Sequence, residues 1–191
     1  MPYGTAVTAP SEETFRALLD GHGLLKPGAL ASPNRARSVA VFAQTPDARL
    51  DVARLKQQAM RFFKTKVGLS VDKRYGLSHV DADAARIVVA GDDGSTSGTR
   101  LAFGRAADAS DYAAAEEAER VQGSSGLALL AQRCPTIWLI VPEAANDRVA
   151  LTLAAIFASL MLGPIILPGA TEIFGVRTAR MKLEAPDKPY R

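Results

Sequence analysis

The chain is poor in the residue types that build metal centres and covalent staples. It has one cysteine, Cys134, among 191 residues, so no disulfide can close within it. It has two histidines, His22 and His79, and no Cys/His cluster, which removes the ligand set of a structural zinc site. No Walker-type loop, GxSxG elbow, HExxH helix or GxGxxG turn occurs, so the commonest signals for nucleotide binding and hydrolysis are missing. Charge of one sign is scarce as well. The 23 Lys plus Arg stand against 20 Asp plus Glu, and the net of +3 falls short of the dense basic stripe of a nucleic-acid reader. The first residues, MPYGTAVTAPSEE, hold neither a basic start nor an apolar run. With a lone cysteine, that pattern predicts a cytoplasmic setting.

What is abundant is apolar residue, 48% of the chain against 23% charged, and it is concentrated late. Thr136 to Val141 is a short apolar run closed by Pro142. Asn146 or Asp147 can then cap a helix over 148–162 that is apolar on every side. A solvated stripe cannot explain such a helix, so it is expected in the core, in a subunit interface or in lipid. Residues 149–168 come close to the length of a bilayer span. Gly163-Pro164 interrupts that run, however, and no basic cluster flanks it to set an orientation.

The rest of the chain reads as cover for this unit. Residues 1–10 form an N-terminal arm, 11–184 a globular α/β domain, and 185–191 a tail with two prolines. Ser11 caps a short helix to Asp20, and Ser38–Ala43 is a β-rich run. Asp47 opens a helix to Lys66, with Val52, Leu55, Ala59, Phe62 and Phe63 at helical spacing on its apolar side. Residues 68–84 mix turn formers with apolar stubs. RIVVA and TRLAF (86–90 and 99–103) flank the polar loop GDDGSTSG as a hairpin, and an alanine-rich helix and the piece LALLAQR follow. Glu172–Leu183 alternates like a last strand. The order of elements predicts an α/β (or α+β) protein with a central mixed sheet of about five strands packed by helices.

Three groups of residues are candidates for chemistry. His79, Asp81 and Asp83 alternate and could share one side of a strand, yet the same acids serve equally as turn caps, and no metal site is assigned. Cys134 precedes an apolar strand with no histidine near it in sequence, which points to a buried, inert thiol. Phe62, Phe63, Trp138, Phe157 and Phe174 read as core.

The third group is the loop in RIVVAGDDGSTSGTR, an apolar strand delivering two acids and then a small-residue loop. It resembles the phosphoribosyl-diphosphate loop of type I phosphoribosyltransferases. The resemblance implies that Asp92 and Asp93 bind ribose hydroxyls. It assigns the phosphate to Ser95, Thr96, Ser97, Gly98 and Thr99, in a nest of amides and hydroxyls. Gly94 stands where that family carries an apolar residue, and a plain hairpin loop is the competing reading.

Two functions remain open. One is a self-assembling or partner-binding protein, a homo-oligomer or a complex with a protein partner, using the 149–167 region. The alternative is an enzyme that binds a phosphorylated small molecule through the loop 91–99. No cofactor is expected for the first, and Mg2+ enters only with the second.

Overall fold

A computed structural model describes residues 11–21, 26, 30–72, 81–91 and 97–185. The expected arm at 1–10, most of the expected tail, His22, His79 and the loop residues 92–96 lie outside the described residues.

In chain order the elements are α1 (Glu12–Ala17), β1 (Val39–Ala43), β2 (Leu50–Asp51), α2 (Val52–Phe63), β3 (Thr65–Asp72), β4 (Asp81–Ala82), β5 (Ala84–Gly91) and β6 (Ser97–Ala106). Then come α3 (Ala109–Gln122), α4 (Leu127–Ala131), β7 (Thr136–Ile140), α5 (Arg148–Met161), β8 (Ile165–Ile166), β9 (Ile173–Phe174) and α6 (Val176–Glu184). The mixed α/β class expected from the sequence is correct, but the sheet is larger than the five strands expected. Seven strands form one sheet in the order β3-β5-β6-β7-β1-β8-β9, and β2 pairs with β4 separately. Every neighbouring pair is antiparallel, so the sheet is not mixed in its pairing.

Helix starts follow the side chains that can accept a hydrogen bond from the first turn. Ser11, Asp51 and Asp147 each receive a backbone N–H from three residues ahead. Asp108 and Asp111 form a reciprocal capping box at the start of α3. The second helix was expected from Asp47; it begins instead at Val52, because Leu50–Asp51 is drawn into pairing with Asp81–Ala82. It ends at Phe63, where Lys64 turns left-handed and releases the chain into β3. That strand occupies residues expected to be a helix end followed by turns. Its pairing with β5 supplies the order that local composition does not.

The last expected strand, 172–183, is the clearest correction. Only Ile173–Phe174 is strand; α6 follows from Gly175. Val176, Ala179 and Leu183 recur at helical spacing and join the core on the α5 side, while Met181 is exposed.

The sheet is covered on both faces, which explains why β1 and β7 are apolar without alternation. Val39, Val41, Trp138 and Ile140 face the cluster that contains α5 and the inner sides of α2 and α6. Ala40, Phe42, Ile137 and Leu139 face α3 and α4. A smaller cluster joins Phe15 of α1 to Leu101 of β6.

Helix α5 carries the chain from β7 across β1 to β8, two strands that both run antiparallel to β1. It lies on β1, and α2 and α6 both pack on it. Every residue from Val149 to Ala158 is therefore buried within the chain. Its all-round apolar character is core character. At 14 residues it is short for a span, and no described helix is long and apolar enough to cross a membrane.

The exit from α5 is set by backbone contact. Met161 and Pro164 accept hydrogen bonds from the amides of Gln44 and Phe42, at 3.0 Å each. Between them a Cβ on Gly163 would lie 2.0 Å from the Phe42 carbonyl oxygen. Only glycine lets helix end and strand approach so closely. Gly163→Ala should therefore destabilise the fold by about 3 kcal/mol or more, measured by urea denaturation, because the atom it meets is backbone and cannot swing away.

Candidate functional site

The two ends of α5 carry the two candidate sites, one polar and one apolar. At the N-terminal end, Asp147 is a hub. Its carboxylate caps the helix by accepting from the Ala150 amide at 3.0 Å and accepts from the Glu143 amide at 2.8 Å. The guanidinium of Arg100, on β6, meets the same carboxylate with two nitrogens, Nε to Oδ2 and Nη2 to Oδ1 at 2.9 Å. Arg100 Nη1 also donates to the Thr99 carbonyl at 2.9 Å and pairs with Glu143 at 3.0 Å. The pair is nearly dry, with side chains 8% and 3% exposed. Burial alone would raise the Asp147 pKa. The hydrogen bond from Arg100, the two backbone amides and the Arg100 charge outweigh it and hold the carboxyl below its ordinary 3.8.

Beside this hub lies a cavity of about 520 Å³, with an apolar floor from Val39, Leu151 and Leu167 and polar sides from Arg37, Glu143 and Glu172. It is roomy enough for a small molecule. Its carboxylates, however, are already engaged. Asp147 accepts on both oxygens, Glu143 pairs with Arg100, and Glu172 pairs with Lys182 at 2.7 Å. The hub is built to hold the helix start in place, and Asp147 has no free lone pair directed at the cavity.

The sequence-predicted loop residues divide at the edge of this region. Asp92, Asp93, Ser95 and Thr96 lie outside the described residues. Ser97, Gly98 and Thr99 open β6, opposite Ala90, Val89 and Val88 of β5, so the expected hairpin strands do pair. Gly98 sits against the first turn of α5: a Cβ there would be 3.3 Å from Val149 and 3.1 Å from Arg100 Nη1. The chain after Thr99 continues as strand, whereas the phosphoribosyltransferase pattern runs into a helix there.

The other end of α5 opens into a recess of about 430 Å³ bounded by α2, α5, α6 and Leu130 of α4, walled mainly by Phe62, Phe63, Leu130, Leu162 and Val176, with Arg180 also lining it. Phe62 was expected in the core and is instead 42% exposed. Helical spacing puts Val52, Leu55 and Ala59 inward, and Phe63, four residues after Ala59, continues that row against the core in place of Phe62. Leu162 is 64% exposed and left-handed, with φ 60° and ψ 32°. The Gln44 side-chain amide donates to its carbonyl at 2.7 Å and fixes the turn. Sequence reading placed Leu162 inside the apolar helix and missed it as a surface group; the Gly163-Pro164 stop directly after it was the available signal.

The remaining candidates are structural. Trp138, Phe157 and Phe174 are buried, the first two edge to face at 5.2 Å. The Cys134 thiol is buried, donates to the Leu130 carbonyl at 3.4 Å, and is pushed up to about 11 by burial, as suits an inert thiol. Among the described residues no group of His, Cys, Asp and Glu is arranged to hold a metal ion. Comparison with known proteins adds no relative: no protein-family model, curated protein or solved structure matches the chain.

Asp147→Asn leaves Arg100 buried beside a neutral group and should cost about 3 kcal/mol in denaturant unfolding. The pH dependence has a definite sign. Because the folded pKa of Asp147 lies below 3.8, its contribution is fully present above that value and disappears as pH falls through the folded pKa. Unfolding free energies measured on acidification below 3.8 should show this loss in the wild type, and Asp147→Asn should lack that component.

Proposed function

We propose that the protein works by association, assembling with itself or binding a protein partner through Leu162, where the 149–167 stretch reaches the surface. The observation that carries this reading is Leu162. A leucine held left-handed costs about 1 kcal/mol relative to glycine, the residue that usually closes a helix in this way. Here it also exposes apolar surface beside the exposed ring of Phe62. A position that is worse for stability and for solubility than the obvious alternative is explained by what it touches in a complex. A cytoplasmic setting belongs to the same reading, supported by the single thiol and its burial.

Leu162→Gly separates the two roles. It should raise unfolding stability by about 0.5–1 kcal/mol while weakening association. Sedimentation equilibrium over micromolar concentrations reads the self-assembly part. A strict monomer there would remove the homo-oligomer and leave the partner; a Leu162→Gly variant no more stable than wild type would remove the argument from strain.

A second reading is an enzyme acting on a phosphorylated small molecule. It is supported by the cavity lined by Asp147 and Glu143 and by Gly98, which lies against Arg100, the partner of both acids. Thermal-shift titration with phosphoribosyl diphosphate and Mg2+ tests it, since a ligand at about 100 times its Kd adds about 2.7 kcal/mol of stability. A shift that Asp93→Ala abolishes would establish the loop as the site.

A further inference from the structure

The recess at the C-terminal end of α5 is mostly apolar and has arginines at Phe62 and on α6. Arg180 is the charged residue that lines it, on α6. The guanidinium of Arg61 lies 5.1 Å from the centre of the Phe62 ring, so this wall also carries positive charge. No described acid lines the recess. Glu184 approaches Arg180 only at 3.8 Å, in an exposed pair that neutralises little.

Three possible occupants differ in how they meet this pattern. A second copy docking about a twofold axis would bring the same arginines of both molecules together, which costs energy. A bilayer favours apolar groups that crown a ridge, whereas Phe63, Leu130 and Val176 wall a hollow. A helix with an apolar stripe and acidic flanks meets both features at once: its stripe fills the hollow and its carboxylates reach the arginines.

Resting on the association reading above, we propose that this recess is the docking site for an acidic amphipathic helix of a protein partner. Leu162 and Phe62 are the apolar contacts, and Arg61 and Arg180 select for acidic side chains. Leu162 is held ready for this by its left-handed turn, so little is lost in ordering it on binding.

The test is selection of a display library of random peptides, about four helical turns long, against the full chain. Enriched peptides should carry apolar residues at i, i+3 or i+4, and i+7, with Asp and Glu beside them. Their binding should weaken with salt and drop about tenfold or more on Leu162→Gly and on Arg180→Glu. Replacing the peptide acids with lysine should restore binding to Arg180→Glu. Loss of binding on Leu162→Gly cannot be ascribed to unfolding if that variant is the more stable protein.

Enriched apolar peptides with no acidic bias, still sensitive to Leu162→Gly, would overturn the acidic partner and keep association. Self-assembly that Leu162→Gly abolishes, with no peptide enriched, would replace the partner with a second copy. Flotation with phosphatidylserine vesicles that Leu162→Gly abolishes, again with no peptide enriched, would replace it with a membrane. Peptides indifferent to Leu162→Gly, or no association of any kind, would overturn both the inference and the reading beneath it.

Discussion

The structure depends on one helix being buried from all sides. Helix α5 has too much apolar surface for any position with a solvent face, and the fold meets that demand by laying it on β1 and packing α2 and α6 against it. Several other features follow from this placement. Strand β1 must be central and apolar on both faces, because α5 crosses it on one side and α3 and α4 pack on the other. The last segment must supply a second covering helix, which is why residues 176–184 coil instead of extending the sheet.

A helix fixed this firmly needs both ends held, and the two ends are held by different physics. At the start, the Asp147 carboxylate satisfies orphan amides and is itself fixed by Arg100 from β6, so charge pairing and capping act on the same atoms. At the finish no charge is involved. Backbone hydrogen bonds to β1 and the absence of a side chain at Gly163 bring chain against chain. Neither end tolerates much movement. Both candidate sites sit at these ends because that is where polar or apolar groups leave the covered interior.

The ends also differ in how completely they are satisfied. Around Asp147 every described charge has found a partner, and the cavity beside it is framed by groups already committed. Around Leu162 the local rules conflict: a left-handed leucine, an exposed phenylalanine and a recess without cover occur together. The proposed association rests on that combination at the C-terminal end of α5.

Much of the architecture was legible from residues alone, and for local reasons. The cap at Ser11, a cap of α5 at Asn146 or Asp147, the apolar runs of β1 and β7, the hairpin strands around residues 86–103 and the helix over 148–162 are specified by side chains acting within a few residues of themselves. The class of the protein followed from them. Strand β3 and helix α6 were not legible, since their states come from partners distant in sequence: β5 orders the one, and α5 selects the helical face of the other. The candidate site belongs to the same category. Nothing local distinguishes Phe62 from Phe63, and for Leu162 the only local sign is the Gly163-Pro164 stop that follows it. Only the packing of α2 and α6 on α5, and the point at which that cover stops, decided which apolar side chains are core and which face solvent. Burial is a property of neighbours, and a sequence read alone does not say who they are.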